Sequence, residues 1–143
     1  MKLGFTGTQH GMTSQQKDTA MLYAMSCQPK EAHMGDCVGA DKEFHDIIHD
    51  INKKFPAHKC ATIGHIPIYD TKRAFCLYDV VKEPKPYLER NHEIVNSCDI
   101  LIAAPKESYE QQRSGTWATV RYAKKKNKPV VIVYPNGDME ELN

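Results

Sequence analysis

The chain has 143 residues, of which 41% are apolar and 26% charged, with a formal net charge of +1. That length suits one domain, here residues 1–143, and the near balance of charge excludes a nucleic-acid partner captured through a bulk basic excess. No apolar run approaches the ~20 residues that span a bilayer, and the N-terminus does not read as a secretory signal, so a soluble, cytoplasmic chain with no membrane partner is expected.

The five cysteines, Cys27, Cys37, Cys60, Cys76 and Cys98, are odd in number and widely spaced, with no C-x-x-C. Neither a disulfide framework nor a structural zinc site is expected. Cys37 lies in a glycine-rich loop, where it reads either as a reactive thiol or as a small residue tolerated beside a ligand.

In chain order, residues 2–6 read as a short strand, broken by Gly7-Thr8-Gln9-His10-Gly11-Met12. Thr13 is a good N-cap, with Gln16 as its capping-box partner, for a helix over residues 14–27 that carries Ala20, Met21, Tyr23, Ala24 and Cys27 at helical spacing. Residues 31–34 form a second strand leading into Gly35-Asp36-Cys37-Val38-Gly39-Ala40-Asp41. A helix over residues 40–54 follows, with Phe44, Ile47, Ile48 and Ile51 on one face, stopped at Phe55-Pro56. Residues 59–64 read as a third strand. Residues 65–85 read mostly as loop, and so long a connection in a small domain is often functional. Pro86 opens a helix with Tyr87, Leu88, Asn91, Ile94 and Val95 at helical spacing. Ile100-Leu101-Ile102-Ala103-Ala104 is a strand ending at Pro105. Ser114-Gly115-Thr116 then opens a helix over residues 117–126, whose Lys124-Lys125-Lys126 complements the helix dipole. Val130 to Tyr134 is the last strand, and the polar tail, residues 136–143, is expected to fray. The alternation describes a doubly wound α/β domain of about five mainly parallel strands with helices on both faces. Such sheets bind ligands beyond the carboxyl ends of their strands.

Three glycine-bearing loops each follow a strand and precede a helix: Gly7-Thr8-Gln9-His10-Gly11, Gly35 to Asp41, and Ser114-Gly115-Thr116. Glycine lets backbone approach a ligand closely, and a helix N-terminus seats a phosphate. None is a G-x-G-x-x-G or a P-loop, so a dinucleotide-dependent dehydrogenase and an NTPase lose their main support. Asp36 and Asp41 are the polar anchors of the second loop, accepting from ribose hydroxyls or capping the helix. Arg90 and Asn91 lie on the helix before the fourth strand. Arg113 precedes Ser114 and can meet phosphate with a bidentate fork. His10 and His33 are candidates for acid–base chemistry, and His65 can border the pocket. Trp117 packs in the core or stacks on a base.

These motifs resemble the SLOG superfamily, the Rossmann-like nucleotide-binding proteins related to the LOG phosphoribohydrolases and the DprA fold, and within it the small bacterial and phage members of the YspA type. The resemblance rests on His33-Met34-Gly35-Asp36-Cys37-Val38-Gly39-Ala40-Asp41, on Arg90-Asn91-His92-Glu93-Ile94-Val95 with Asp99, and on Arg113-Ser114-Gly115-Thr116-Trp117 with Ala123 to Val130. It implies a pocket for a nucleotide or nucleotide-derived ligand. The phosphate would lie on Ser114-Gly115-Thr116, and the ribose near Asp36 and Gly7-Thr8-Gln9. Gly35, Gly39, Ala40, Asp41, Arg90, Asn91 and Arg113 would complete the pocket. There is one departure. The LOG enzymes carry G-T-x-x-E, and the position of that Glu is Thr119 here. A neutral hydroxyl can neither stabilise nor attack an oxocarbenium-like centre.

The leading expectation is therefore a binding protein that senses or sequesters a nucleotide-derived ligand, as in phage–host conflict. The alternatives are a hydrolase of an N-glycosidic or phosphoester bond, with Asp36, Asp41, His10 or His33 as acid–base groups, and a protein-interaction module with a vestigial pocket. No resident cofactor or metal is expected, although Mg²⁺ can arrive with a phosphate ligand. The family relatives imply a homo-oligomer, and Tyr69, Tyr78 and Tyr87 would form its interface or a lid.

Overall fold

Residue-by-residue alternation of apolar side chains builds a sheet with two covered faces. In the computed structural model, which describes residues 1–143, the strands are β1 (Lys2–Gly7), β2 (Glu31–Met34), β3 (Ala61–Gly64), β4 (Val80–Val81), β5 (Ile100–Ala104), β6 (Val130–Val133) and β7 (Met139–Leu142). The helices are α1 (Ser14–Cys27), α2 (Ala40–Lys54), α3 (Tyr87–Ser97) and α4 (Gly115–Lys125). The sheet order is β4-β3-β2-β1-β5-β6-β7, parallel except for the β6–β7 pair. This is a doubly wound α/β fold. No helix is long and apolar enough to cross a membrane.

Leu3, Phe5, Ile102, Val131 and Val133 point to one side of the sheet, where they meet Ala20 and Ala24 of α1 and Phe44 and Ile48 of α2. Phe5 and Phe44 stack with ring centroids 4.3 Å apart. Leu101, Ala103, Val130 and Ile132 point to the other side, against Ile94 and Val95 of α3 and Trp117, Val120 and Ala123 of α4. Trp117 thus takes the core reading. The period of two along each strand and the helical spacing on each helix account for both layers. Thr13 caps α1 in the expected capping box with Gln16.

Two features differ from the sequence reading. The sheet has seven strands, because Val80–Val81 of the 65–85 segment pairs with β3 and the polar tail pairs with β6. The tail that reads as frayed is a hairpin arm. Tyr134 N donates to Asp138 O at 2.8 Å and Gly137 N to Tyr134 O at 2.8 Å, with Gly137 at φ +91°. Asn-Gly is the turn signal, and side-chain polarity hid it, since an edge strand has little to bury. The third strand is also shorter than residues 59–64, because the Cys60 backbone is taken up by α2: Cys60 N donates to Asn52 Oδ1 at 2.8 Å, and Asn52 Nδ2 donates to Cys60 O at 2.9 Å.

The chain winds outward from β1 through β2, β3 and β4, then returns to the other side of β1 with β5. Strand order therefore reverses between β1 and β5. Connections leave their carboxyl ends toward opposite faces, and a crevice opens there.

Candidate functional site

At that reversal point the structure has a cleft of about 390 Å³, within the range of small-molecule sites. Its floor is Phe5 to His10 of β1 and the following loop. One wall is Lys106, Glu107 and Ser114 to Thr116. The other is Cys37, Asp41 and Lys72 with Tyr87, Arg90, Asn91 and Ile94 of α3.

The floor is held by backbone. Thr8 N donates to Ala104 O at 3.0 Å, while Thr8 O accepts from Ala40 N at 2.9 Å and from Gly11 N at 3.2 Å. These bonds join the ends of β1, β5 and α2. Gly39 makes the junction possible: it lies at φ +87°, and a Cβ there would come 2.3 Å from the Gln9 carbonyl oxygen, a conformation and a contact open only to glycine.

The wall at α4 is a helix N-terminus. Ser114 Oγ accepts from Trp117 N at 3.2 Å, which satisfies one early amide. The amides of Gly115 and Thr116 precede any intrahelical acceptor. A Cβ on Gly115 would meet nothing within 4 Å, so this end of the helix is open to the cleft. Thr119, at the position of the missing Glu, donates its hydroxyl to Gly115 O at 2.8 Å and is consumed within the helix. Trp117 Nε1 donates to Glu107 Oε1 at 3.2 Å, holding that carboxylate on the rim.

Arg90 dominates the opposite wall. It is 6% exposed. Its Nη1 donates to the Gly35 and His65 carbonyls, and its Nε to Asn91 Oδ1 at 2.8 Å. Nη2 has no protein partner. Every fully buried side-chain polar atom does have one, so Nη2 is open to the cleft. The guanidinium makes no ion pair with a carboxylate, and a buried charge in that condition is costly unless an anion completes it. Asp41 is nearby, and burial pushes its carboxyl up to about 6, against the opposing pull of Arg90 and of the Cys37 amide, which donates to Asp41 Oδ2 at 3.1 Å. Asp41 thus offsets the Arg90 charge above about pH 6 and ceases to do so below it. Burial also pushes the Cys37 thiol up, so it is not a ready thiolate.

Of the residues singled out from sequence, the cleft brings together Gly7, Thr8, Gln9, His10, Asp41, Arg90, Asn91, Ser114, Gly115 and Thr116. Others stand elsewhere. Gly35, Gly39 and Ala40 shape the wall from behind: a Cβ on Gly35 would strike Arg90 Nη1 at 2.7 Å, and Ala40 is packed against Gly7. Arg113 is exposed and outside the cleft. His33 is buried behind β2 with Glu31 and His65. Asp36 is fully buried and turned away. It accepts from Arg73 Nε at 2.8 Å, Phe75 N at 3.3 Å, Cys76 N at 3.0 Å and Tyr78 Oη at 2.8 Å. Tyr78 is thereby packed under the 65–85 segment, while Tyr87 lines the cleft. Lys72, Lys106 and Glu107 were missed, since all lie in irregular segments with no periodicity to single them out.

No family model matches the sequence, and no curated relative does. Two solved structures share its architecture. The molybdenum cofactor binding protein from the phototrophic bacterium Rippkaea orientalis is 22% identical, with a TM-score of 0.66 over 93% of this chain and 76% of that one. The structural-genomics target TM1055 is 14% identical, with a TM-score of 0.58 over 90% of this chain and 71% of that one. At these identities the likeness is one of fold, and it places the chain among the Rossmann-like α/β proteins.

Proposed function

We propose that the cleft binds a phosphate-bearing, nucleotide-derived small molecule, and that the protein senses or sequesters it. The observation that carries this reading is Arg90, a buried guanidinium without a carboxylate partner whose Nη2 faces the same cleft as the open N-terminus of α4. Lys72 and Lys106 on the rim add positive charge. A phosphate would bridge the α4 amides and the cationic wall, with Tyr87 offering a ring face to the remainder of the ligand. Fold-level likeness to a molybdenum cofactor binding protein agrees with a small-molecule role. The test is calorimetry of the purified chain against mono-, di- and cyclic nucleotides, NAD and ADP-ribose. Absence of binding across that panel rejects the proposal.

A second reading, turnover of the bound ligand, is favoured by Asp41. A cleft carboxyl raised to about 6 can hold or release a proton near neutrality. Recovery of base plus sugar phosphate, or of a shorter phosphate, after incubation would establish an enzyme; release of intact ligand would leave a binder.

A further inference from the structure

Behind the cleft, four side chains form one hydrogen-bonded line. Glu31 Oε1 lies 2.8 Å from His33 Nε2, His33 Nδ1 lies 2.7 Å from His65 Nε2, and His65 Nδ1 lies 2.6 Å from Glu93 Oε1. The line runs from β2 through the residue after β3 to α3. Both imidazoles are buried, at 4% and 1% exposed, while the terminal carboxylates reach water.

Each contact at these distances needs one hydrogen between its heavy atoms. Ionised Glu31 and Glu93 bring none, and each neutral imidazole brings one. The three contacts therefore have two hydrogens between them. Without a third, a lone pair faces a lone pair at contact distance. The fully bonded line carries one proton more than two ionised carboxylates and two neutral rings.

The groups facing the line are Lys2 of β1, Lys82 beyond β4, Lys85 with its Nζ 3.7 Å from Glu93 Oε2, and Arg90, which reaches the His65 carbonyl. Burial and the lysines oppose the added proton, and the carboxylates attract it. Burial prevails, keeping His33 below the usual imidazole value and His65 down at about 4. The fully bonded line is therefore the acid form.

We propose that Glu31, His33, His65 and Glu93 form a proton-gated tether between the sheet and α3, closed when the line holds its extra proton and open at Glu93 when it does not. Glu93 is the end that leaves, because its second oxygen already faces Lys85, whereas Glu31 has no second ion pair. α3 carries Tyr87, Arg90, Asn91 and Ile94 of the cleft, so the tether would regulate that site. Only this consequence rests on the binding reading.

The test is nitrogen-15 NMR of the histidine rings in the full chain from about pH 2.5 to 8, which spans both the lowered His65 value and the ordinary imidazole value. In the wild type, His65 Nδ1 loses its proton as pH rises while His33 Nε2 keeps its own. In Glu31→Gln, the amide donates to His33 Nε2 and supplies the missing hydrogen without a charge, so His65 Nδ1 stays protonated throughout. A bare His33 Nε2 at high pH, or a His65 titration unchanged in Glu31→Gln, overturns the proposal. Should Glu31→Gln not fold, Glu93→Gln supplies the same hydrogen from the other end, and the wild-type transition must vanish there too. No ligand is involved, so failure here leaves the cleft reading standing, and failure to bind nucleotides leaves the tether standing.

Discussion

The Tyr78 hydroxyl donates to Asp36 Oδ1 at 2.8 Å, and this bond commits Asp36 to the 65–85 segment rather than to the cleft. With Arg73 and the amides of Phe75 and Cys76 it makes Asp36 the anchor of a stretch that has little regular structure of its own. Asp36→Asn replaces one acceptor oxygen by an amide that points hydrogens at donors. The expected cost is about 2–4 kcal/mol, measured by urea unfolding. A change within about 0.5 kcal/mol, the size of an ordinary surface substitution, would remove the anchoring role.

Gly115 separates binding from folding. A Cβ there meets open space, so Gly115→Ala should be tolerated, and Gly115→Asp should fold because a carboxylate suits a helix N-terminus. The same carboxylate occupies the proposed phosphate seat. Affinity for a phosphate ligand should fall at least about tenfold, roughly 1.4 kcal/mol, by calorimetry. Unchanged affinity would place the phosphate elsewhere, and unchanged biological function would favour a vestigial pocket.

Arg90→Lys keeps the charge and loses the fork. The Gly35 and His65 carbonyls lose a shared donor, and a point charge cannot also present Nη2 to the cleft. A stability loss of about 1–3 kcal/mol is expected, together with weaker sulfate binding. Unimpaired anion binding would argue against the cleft Arg as the anion's partner.

Asp41 makes stability depend on pH. Its folded value is about 6 against an ordinary 3.8, so the folded chain holds a proton that the unfolded chain has released. The associated stabilisation is fully present below the unfolded value and is lost as pH rises through 6, by up to about 3 kcal/mol. Asp41→Asn should flatten that slope and be the more stable form above pH 6. Sulfate, which keeps its charge through this window, should bind the wild type more tightly on acidification as Asp41 is neutralised beside Arg90. A wild-type sulfate affinity that does not change across pH 6 would separate Asp41 from the anion site.

Much of the fold was legible in local pattern. Short apolar runs bounded by breakers marked β5 and β6, a brief apolar stretch before the first glycine loop marked β1, spacing marked the faces of α2 and α3, and the Thr13–Gln16 pair marked where α1 starts. Glycine-bearing loops at strand ends marked the floor and one wall of the cleft. Less legible were β4, a pair of exposed valines too short to show any period, and β7, whose Glu140-Glu141 centre reads as polar tail.

By itself, then, the sequence determined the alternation of strands and helices and the loops that border the crevice, because both follow from interactions between near neighbours. Only the tertiary structure decided which polar residue faces where. Asp36 and Asp41 share one loop and look equivalent, yet Asp36 takes a left-handed turn at φ 58° and is captured by donors from residues 73–78, leaving Asp41 in the cleft beside Arg90. Lys72 and the Glu31–His33–His65–Glu93 line likewise depend on partners far apart in the chain. Spacing along a chain carries propensity and periodicity, whereas a hydrogen bond between distant residues exists only once the sheet has brought its two ends together.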